Sequence, residues 1–427
     1  MASKEESPEE NQGWFGFNYP KWWTDLVRAL ENRMDYIDEE IWDKIETTIF
    51  DEEMKEDLDV VWSILEKLRQ SKSPKGPFRK PRLALLALVK RTQEYVFEKN
   101  PPSQKLADLT EKEFSTAKKM CQFALNVYDA SFLVNPREIH VKMGLNHTAM
   151  VLQTGFKEVE NEYCPKYVIF MDDVSKSIVL AIRGTFCFND VIVDLVCEEE
   201  KFLDGFAHSG ILLGAKRILM KCEKMLKVSM ESSPDYKLVI TGHSLGAGAA
   251  ILISLAILNG ETSIDSNKVQ LKCYALAPPP VFRSENIEKY QDKIDIFINE
   301  NDCVPRLSLA NIAKLLAIME AIDDIELPLK DQIMIYGGFK DTPYLLEDFK
   351  ELVKIVTETE QDQFPRLEIP GRVFHFCRSK NKLHPSRFRL YTNSQDFFSD
   401  SLLLLKRMIL NHLQPAYEDA LNNVIWR

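Results

Sequence analysis

KLVITGHSLGAGAAILISLAILNG, residues 237–260, is the stretch from which the rest of the chain can be read. Leu238, Val239 and Ile240 make a short apolar run that stops at Thr241-Gly242. After Ser244 an Ala/Leu/Ile segment continues without a proline. That pattern predicts a buried strand, a sharp turn and a buried helix. The turn holds Gly242-His243-Ser244-Leu245-Gly246, the G-x-S-x-G arrangement of a nucleophile elbow. The bare pattern is weak, but its context of strand before and small-residue helix after is what its mechanism requires. The two glycines let strand and helix run close where a side chain would clash, and the serine is expected in a strained backbone conformation. Its Oγ is expected to stand exposed at the strand tip. The helix N-terminus then aims free N–H groups at the place where negative charge would develop.

The 427 residues are 45% apolar and 28% charged, which is the balance of a globular chain. They are enough for one large domain with an extension, or for two domains. A net charge of −11 and a pI near 5.4 argue against nucleic acid as a partner. None of the eight cysteines forms a C-x-x-C pair, which points to buried free thiols in a reducing compartment and to no metal site. The acidic start MASKEESPEENQGW is not a signal peptide, and no apolar run reaches the ~18 residues of a spanning helix. The expectation is a cytoplasmic protein with a face that can lie on a membrane.

Residues 1–105 read as a helical N-terminal extension. It contains the aromatic cluster GWFGFNYPKWW, a periodic helix from Leu26 to Ile45, a second around Val60 to Leu68, the linker SKSPKGPFRKP, and a third helix from Arg82 to Glu98. The aromatic cluster either packs on the main domain or anchors at an interface. From 106 to 427 a helix at Glu111–Phe132 is followed by strands alternating with helices: MVLQTGF, YVIFMDD, SIVLAIRG, CYALAPPPVF, KIDIFINENDCVPRLS and GRVFHFCR. The fold class is therefore α/β, with a mostly parallel central sheet covered on both faces. Thr185, Ser244, Pro278 and Asp302 fall at carboxyl ends of strands, where sites lie in such sheets. An insertion at about 307–369 carries an apolar helix from Ser308 to Ile322, with Ser308 as cap. Its stripe of Leu309, Ile312, Leu316, Met319 and Ile322 reads either as a cover over an apolar groove that can move or as an ordinary core helix. FSDSLLLLKRMILNHLQPAYEDAL reads as a closing helical region.

A serine hydroxyl needs a base, usually a histidine oriented by a carboxylate, and on this fold the chain order is Ser, acid, His. Asp302 follows the strand IDIFIN at its tip, whereas Asp295 lies within it and points elsewhere. Three histidines follow. His375 alternates with Phe374 and Phe376 in a strand and reads as packing; the residues alone leave His384 and His412 open. For the oxyanion hole, one donor is the backbone N–H of Leu245 and the other comes from a neighbouring strand end, where Thr185 stands.

LAIRGTFCFNDVIVDL, GFAHSGILLGAKRI, VITGHSLGAGAA, LAPPPVF, NENDCVPRLS, IPGRVFHF and MILNHLQPAYEDAL together resemble the class 3 lipase family, and within it the sn-1-specific diacylglycerol lipases, over about 110–427. The resemblance implies an α/β-hydrolase fold with the nucleophile at Ser244, the acid at Asp302, the histidine at His412 and the oxyanion residue at Thr185. It implies hydrolysis of a diacylglycerol ester to monoacylglycerol and fatty acid, and a gating role for 307–369. No cofactor is required, although the resemblance allows calcium stimulation. The implied partners are an acylglycerol substrate and the surface of a membrane or lipid droplet. Phospholipase A1, monoacylglycerol lipase or a catalytically silent signalling module are the alternatives. The sequence departs from the family at Asn411, where an Asp precedes the histidine, and at Phe186-Cys187. The four-helix transmembrane bundle of the animal membrane enzymes has no counterpart in the extension.

Overall fold

The computed structural model describes residues 105–156, 164–185, 199–326, 366–379, 387–393, 402–405 and 407–425, with Phe398 and scattered positions between 61 and 93. The aromatic cluster, the Leu26–Ile45 helix, Phe186-Cys187, the run NDVIVDLVCE, residues 327–365 of the insertion and His384 lie outside the described residues.

Among the described residues, twelve strands are β1 (Lys105–Leu106), β2 (Met150–Thr154), β3 (Tyr167–Asp172), β4 (Ser177–Ile182), β5 (Glu199–Phe202), β6 (Gly205–His208), β7 (Lys237–His243), β8 (Leu271–Leu276), β9 (Phe282–Arg283), β10 (Ile294–Asn299), β11 (Arg372–Arg378) and β12 (Phe388–Asn393). The helices that matter for the site are α1 (Glu111–Ala130), α2 (Pro136–Lys142), α3 (Ser209–Ser232), α4 (Leu245–Leu258), α5 (Leu309–Asp324) and α6 (Gln414–Asn422). Nine strands form one sheet in the order β1-β12-β11-β10-β8-β7-β4-β3-β2, and β5-β6-β9 form a small second sheet. The five strands β4, β7, β8, β10 and β11 run parallel, with antiparallel pairs at both edges.

The central strands are continuous apolar runs because both faces of the sheet are covered. Alternate residues go to opposite sides. Ile178, Leu180 and Ile182 of β4, with Leu238 and Ile240 of β7, join the core that includes α3, α4 and α5. Val179, Ala181 and Val239 join the core under α1 and α6. Every residue of α4 from Leu245 to Ile257 is buried, which accounts for its lack of a polar face. At the start of α1, Thr110 and Glu113 form a reciprocal capping box.

Ser308 caps α5, accepting from the Asn311 N–H. The stripe read from the sequence faces inward: Ile312, Leu316, Met319 and Ile322 are buried, as are Leu315 and Ile318. They share a core with Val61, Leu65, Leu85, Leu86, Leu88 and Val89 from the N-terminal region. Arg69 Nε lies 3.5 Å from Glu320 Oε1 on α5. Lys105–Leu106, at the boundary drawn from the sequence, is an edge strand paired with β12.

The closing segment corrects one expectation. Leu402–Leu405 is irregular rather than helical. Its backbone groups bond to a side chain instead of to a helix: the Leu404 N–H donates to Gln93 Oε1 at 2.8 Å, and Gln93 Nε2 donates to the Leu402 carbonyl at 3.0 Å. A 3-10 turn at Leu410–His412 follows, and α6 starts at Gln414 with Pro415 in its first turn. Strand β12 and helix α2 were not anticipated. Six cysteines among the described residues are free thiols, four of them buried.

Candidate active site

Strand β7 runs straight into α4, and the turn between them is Ser244 at φ 59° and ψ −131°. Positive φ is costly for a residue with a Cβ and persists only where surrounding contacts impose it. Here the contacts are tight on both flanks. A Cβ on Gly242 would lie 2.3 Å from the Gly246 carbonyl oxygen, and one on Gly246 would lie 2.5 Å from that of Ile182. The expected closeness of strand and helix is thus present, but the expected exposure of the serine is not. Ser244 is 1% exposed and therefore covered.

Asp302 follows β10 and is fully buried. Its Oδ1 accepts from the Val304 N–H at 2.9 Å and its Oδ2 from the Tyr417 hydroxyl at 2.7 Å. Tyr417, on α6, in turn accepts from the Asn299 N–H at 3.0 Å. Burial, followed by the charge of Asp302, pushes the Tyr417 phenol well above its ordinary 10, so it stays a donor. His412, in the 3-10 turn, sets Nδ1 at 3.1 and 3.0 Å from the two Asp302 oxygens and Nε2 at 2.8 Å from Ser244 Oγ. An ionised carboxylate only accepts, so Nδ1 carries the proton toward it and Nε2 is left to accept from the serine hydroxyl. Three side chains spread over 168 residues, from Ser244 to His412, are thereby joined in one hydrogen-bonded line.

Thr185 follows β4, the strand beside β7. Its Oγ1 is buried and has no hydrogen-bond partner among the described residues. The Leu245 N–H is the first of α4 and has no intrahelical acceptor. Asp295 points elsewhere, paired with Lys272 and Arg372. His375 is buried on β11, donating from Nε2 to the Glu300 carbonyl at 2.7 Å, and burial pulls it from 6.5 to about 4. Three neighbours of the site escaped the sequence reading: Tyr417, His243 and Tyr128. Tyr128 lies in a helix whose apolar pattern hid it, His243 was read only as a spacer of the G-x-S-x-G turn, and Tyr417 stands in the quoted MILNHLQPAYEDAL piece.

Sheet order, crossover helices and elbow define an α/β-hydrolase fold. Residues 179–312 match the family model for class 3 lipases. The mouse diacylglycerol lipase-beta is 33% identical over 181 residues, 40% of this chain and 26% of that protein. The human diacylglycerol lipase-alpha is 24% identical over 299 residues, 62% of this chain and 27% of that protein. The chain thus spans about a quarter of the length of these curated relatives. Among solved structures, the native Rhizomucor miehei lipase propeptide complex matches with a TM-score of 0.48 and 15% identity, over 73% of this chain and 81% of that one. The likeness to class 3 and diacylglycerol lipases read from the motifs is therefore found in the sequence comparisons as well. Among the described residues, no helix is long and apolar enough to cross a membrane.

Proposed function

We propose that the chain is a serine lipase that hydrolyses an acyl ester of diacylglycerol, the sn-1 ester by preference, to monoacylglycerol and free fatty acid. The observation that carries the reading is the line Ser244 Oγ–His412 Nε2, His412 Nδ1–Asp302. Ser244 Oγ attacks the ester carbonyl carbon while its proton passes to His412 Nε2. Asp302, held by Tyr417 and Val304, keeps the imidazole oriented and stabilises its charged form. The oxyanion meets the Leu245 N–H and Thr185, whose hydroxyl and backbone N–H sit at that strand end. Collapse of the intermediate breaks the ester C–O bond, and His412 returns the proton to the departing glycerol oxygen. Water, deprotonated by His412, then releases the fatty acid from Ser244.

The lipase-type relatives favour a lipid ester over a soluble one, and a membrane or droplet surface is the proposed place of work. The segment 1–105 acts as a helical extension to a catalytic domain of 106–427, and the insertion at 307–369 regulates access. Ser244 is covered, so an ester must displace something to reach Oγ. The test is to give purified protein a mixture of diacylglycerols, monoacylglycerols and phospholipids and to identify the products. The expected product is 2-monoacylglycerol with free fatty acid, absent with Ser244→Ala. Lysophospholipid as the main product would reassign the chain to a phospholipase A1, and no product at all would leave the silent-module alternative.

A further inference from the structure

His375 reads from the sequence as a packing residue, yet its ring grips the turn that presents Asp302. Glu300 leaves β10 at φ 45°. Positive φ is unfavourable for a residue with a Cβ and persists only where contacts impose it. Three residues of β11 supply contacts at Glu300. Its N–H donates to the Phe376 carbonyl at 2.8 Å. Its own carbonyl accepts from His375 Nε2 at 2.7 Å. Its carboxylate accepts from the Arg378 N–H at 2.7 Å and from Arg378 Nε at 3.1 Å. The Asp302 N–H then closes the turn on the Asn299 carbonyl at 2.9 Å. A carbonyl only accepts, so the proton of the neutral His375 ring sits on Nε2 and Nδ1 is bare. Asn393 Nδ2, on β12, donates to Nδ1 at 3.0 Å, and Cys377 Sγ lies 3.4 Å from the same nitrogen. The Phe398 ring meets the imidazole edge-on, with centroids 5.1 Å apart and planes at 86°.

We infer that His375 is a positioning residue for the acid: backed by Asn393, it holds the Glu300 carbonyl, and with it the positive-φ turn that aims Asp302 at His412. The inference rests on the proposed role of Asp302. Glu300 stands two residues before Asp302, so a rotation about its φ swings everything that follows. With an ordinary negative φ the chain would leave β10 along another path, and the Asp302 oxygens would not meet His412 Nδ1 at 3.1 and 3.0 Å. Tyr417 and the Val304 N–H grip the carboxylate itself. His375 grips the main chain that delivers it. A leucine or phenylalanine would fill the same place and leave the carbonyl without that donor. The line of contacts runs Asn393 on β12, His375 on β11 and Glu300 after β10, three neighbouring strands, so this side of the sheet braces the acid. A displacement of about 1 Å in a catalytic group costs about a hundredfold in rate.

His375→Phe keeps a flat ring and loses the donor, His375→Gln keeps a donor and an acceptor, and Asn393→Leu removes the amide behind the ring. A fourth variant, Glu300→Asn, places at the turn a residue that adopts positive φ more readily, and it is made alone and together with His375→Phe. Each protein is assayed for kcat and KM on a short soluble ester, for the rate of Ser244 labelling by a fluorophosphonate, and for its melting temperature. His375→Phe is expected to lower kcat and labelling rate together by about ten- to a hundredfold with KM nearly unchanged. His375→Gln is expected to recover most of that loss. Read against Glu300→Asn alone, His375→Phe is expected to cost severalfold or less, because the turn then holds its own shape. A residue that only fills space would not respond to a change at Glu300. Asn393→Leu, the variant that decides if His375→Phe does not fold, is expected to lower kcat severalfold at nearly unchanged KM. Wild-type kcat in folded His375→Phe or in Asn393→Leu overturns the inference while leaving the lipase reading intact. A kcat that falls only in step with melting temperature, with no relief from Glu300→Asn, shows packing alone and overturns it too. If wild-type protein itself is neither labelled nor active, the proposed function fails and this inference falls with it.

Discussion

Helix α5 offers a perturbation whose size can be worked out before the experiment. Ile312, Leu315, Leu316, Ile318, Met319 and Ile322 are each 7% exposed or less. At about 1.5–3 kcal/mol for each buried apolar side chain, putting all six into water costs about 9–18 kcal/mol. That equals or exceeds the whole stability of an ordinary domain, about 5–15 kcal/mol. The helix therefore does not lift in water. If it acts as the proposed gate, it is expected to leave its place only where a second apolar medium, such as the surface of a lipid layer, receives the same face. Met319, at 0% exposure, is the sharpest single probe. Met319→Ala removes most of its side chain from a packed site and is expected to lower stability by about 2–5 kcal/mol. The assay is urea unfolding, read beside turnover of a short soluble ester with and without diacylglycerol-containing vesicles. The unfolding free energy should drop by that amount, soluble-ester turnover should follow the folded fraction, and stimulation by vesicles should persist. Unchanged stability together with faster soluble-ester turnover in water would refute the reasoning, because α5 would then be a loosely seated cover.

Tyr417→Phe leaves the buried Asn299 N–H without its acceptor and Asp302 Oδ2 without its 2.7 Å donor. It should cost about 2–4 kcal/mol in urea unfolding and lower kcat at constant KM, and a fully stable, fully active variant would show that the bridge is idle. His375 should make the fold acid-sensitive. Unfolded, it takes up a proton below 6.5, but buried beside the Glu300 carbonyl it does so only at about 4. The unfolded state therefore binds more protons between those values, and stability falls by about 3 kcal/mol as pH drops from 6.5 to 4. His243 adds to the loss in the same direction. Chemical unfolding across that range should show the slope, flattened in His375→Gln; equal slopes in both proteins would contradict it.

The elbow was legible because every cue agreed over a short span: an apolar run, glycine flanks and a small-residue helix. Asp302 was legible because it ends the apolar strand IDIFIN. His412 was not decidable from pattern alone, since it sits in a 3-10 turn with no periodicity, and only the resemblance selected it over His384. Leu402–Leu405 misled for a related reason. Four consecutive leucines suggest helix, yet their backbone groups are satisfied by Gln93, 309 residues earlier, a contact no local rule encodes. The exposure of Ser244 was misjudged because an elbow predicts the turn but says nothing about what covers it. Tyr128 went unread because it fits the apolar face of its helix, and His243 because it stood as a mere spacer of the elbow; only the fold brings them within 2.9 Å.

The central claim is that Ser244 is a nucleophile driven by His412. Labelling with a fluorophosphonate, followed by mass spectrometry of the digested protein, addresses it directly. Wild-type protein should carry a single adduct on Ser244, Ser244→Ala should carry none, and His412→Ala should be labelled ~10⁴-fold more slowly while remaining folded. An adduct on another residue, or His412→Ala labelling at the wild-type rate, would contradict the account.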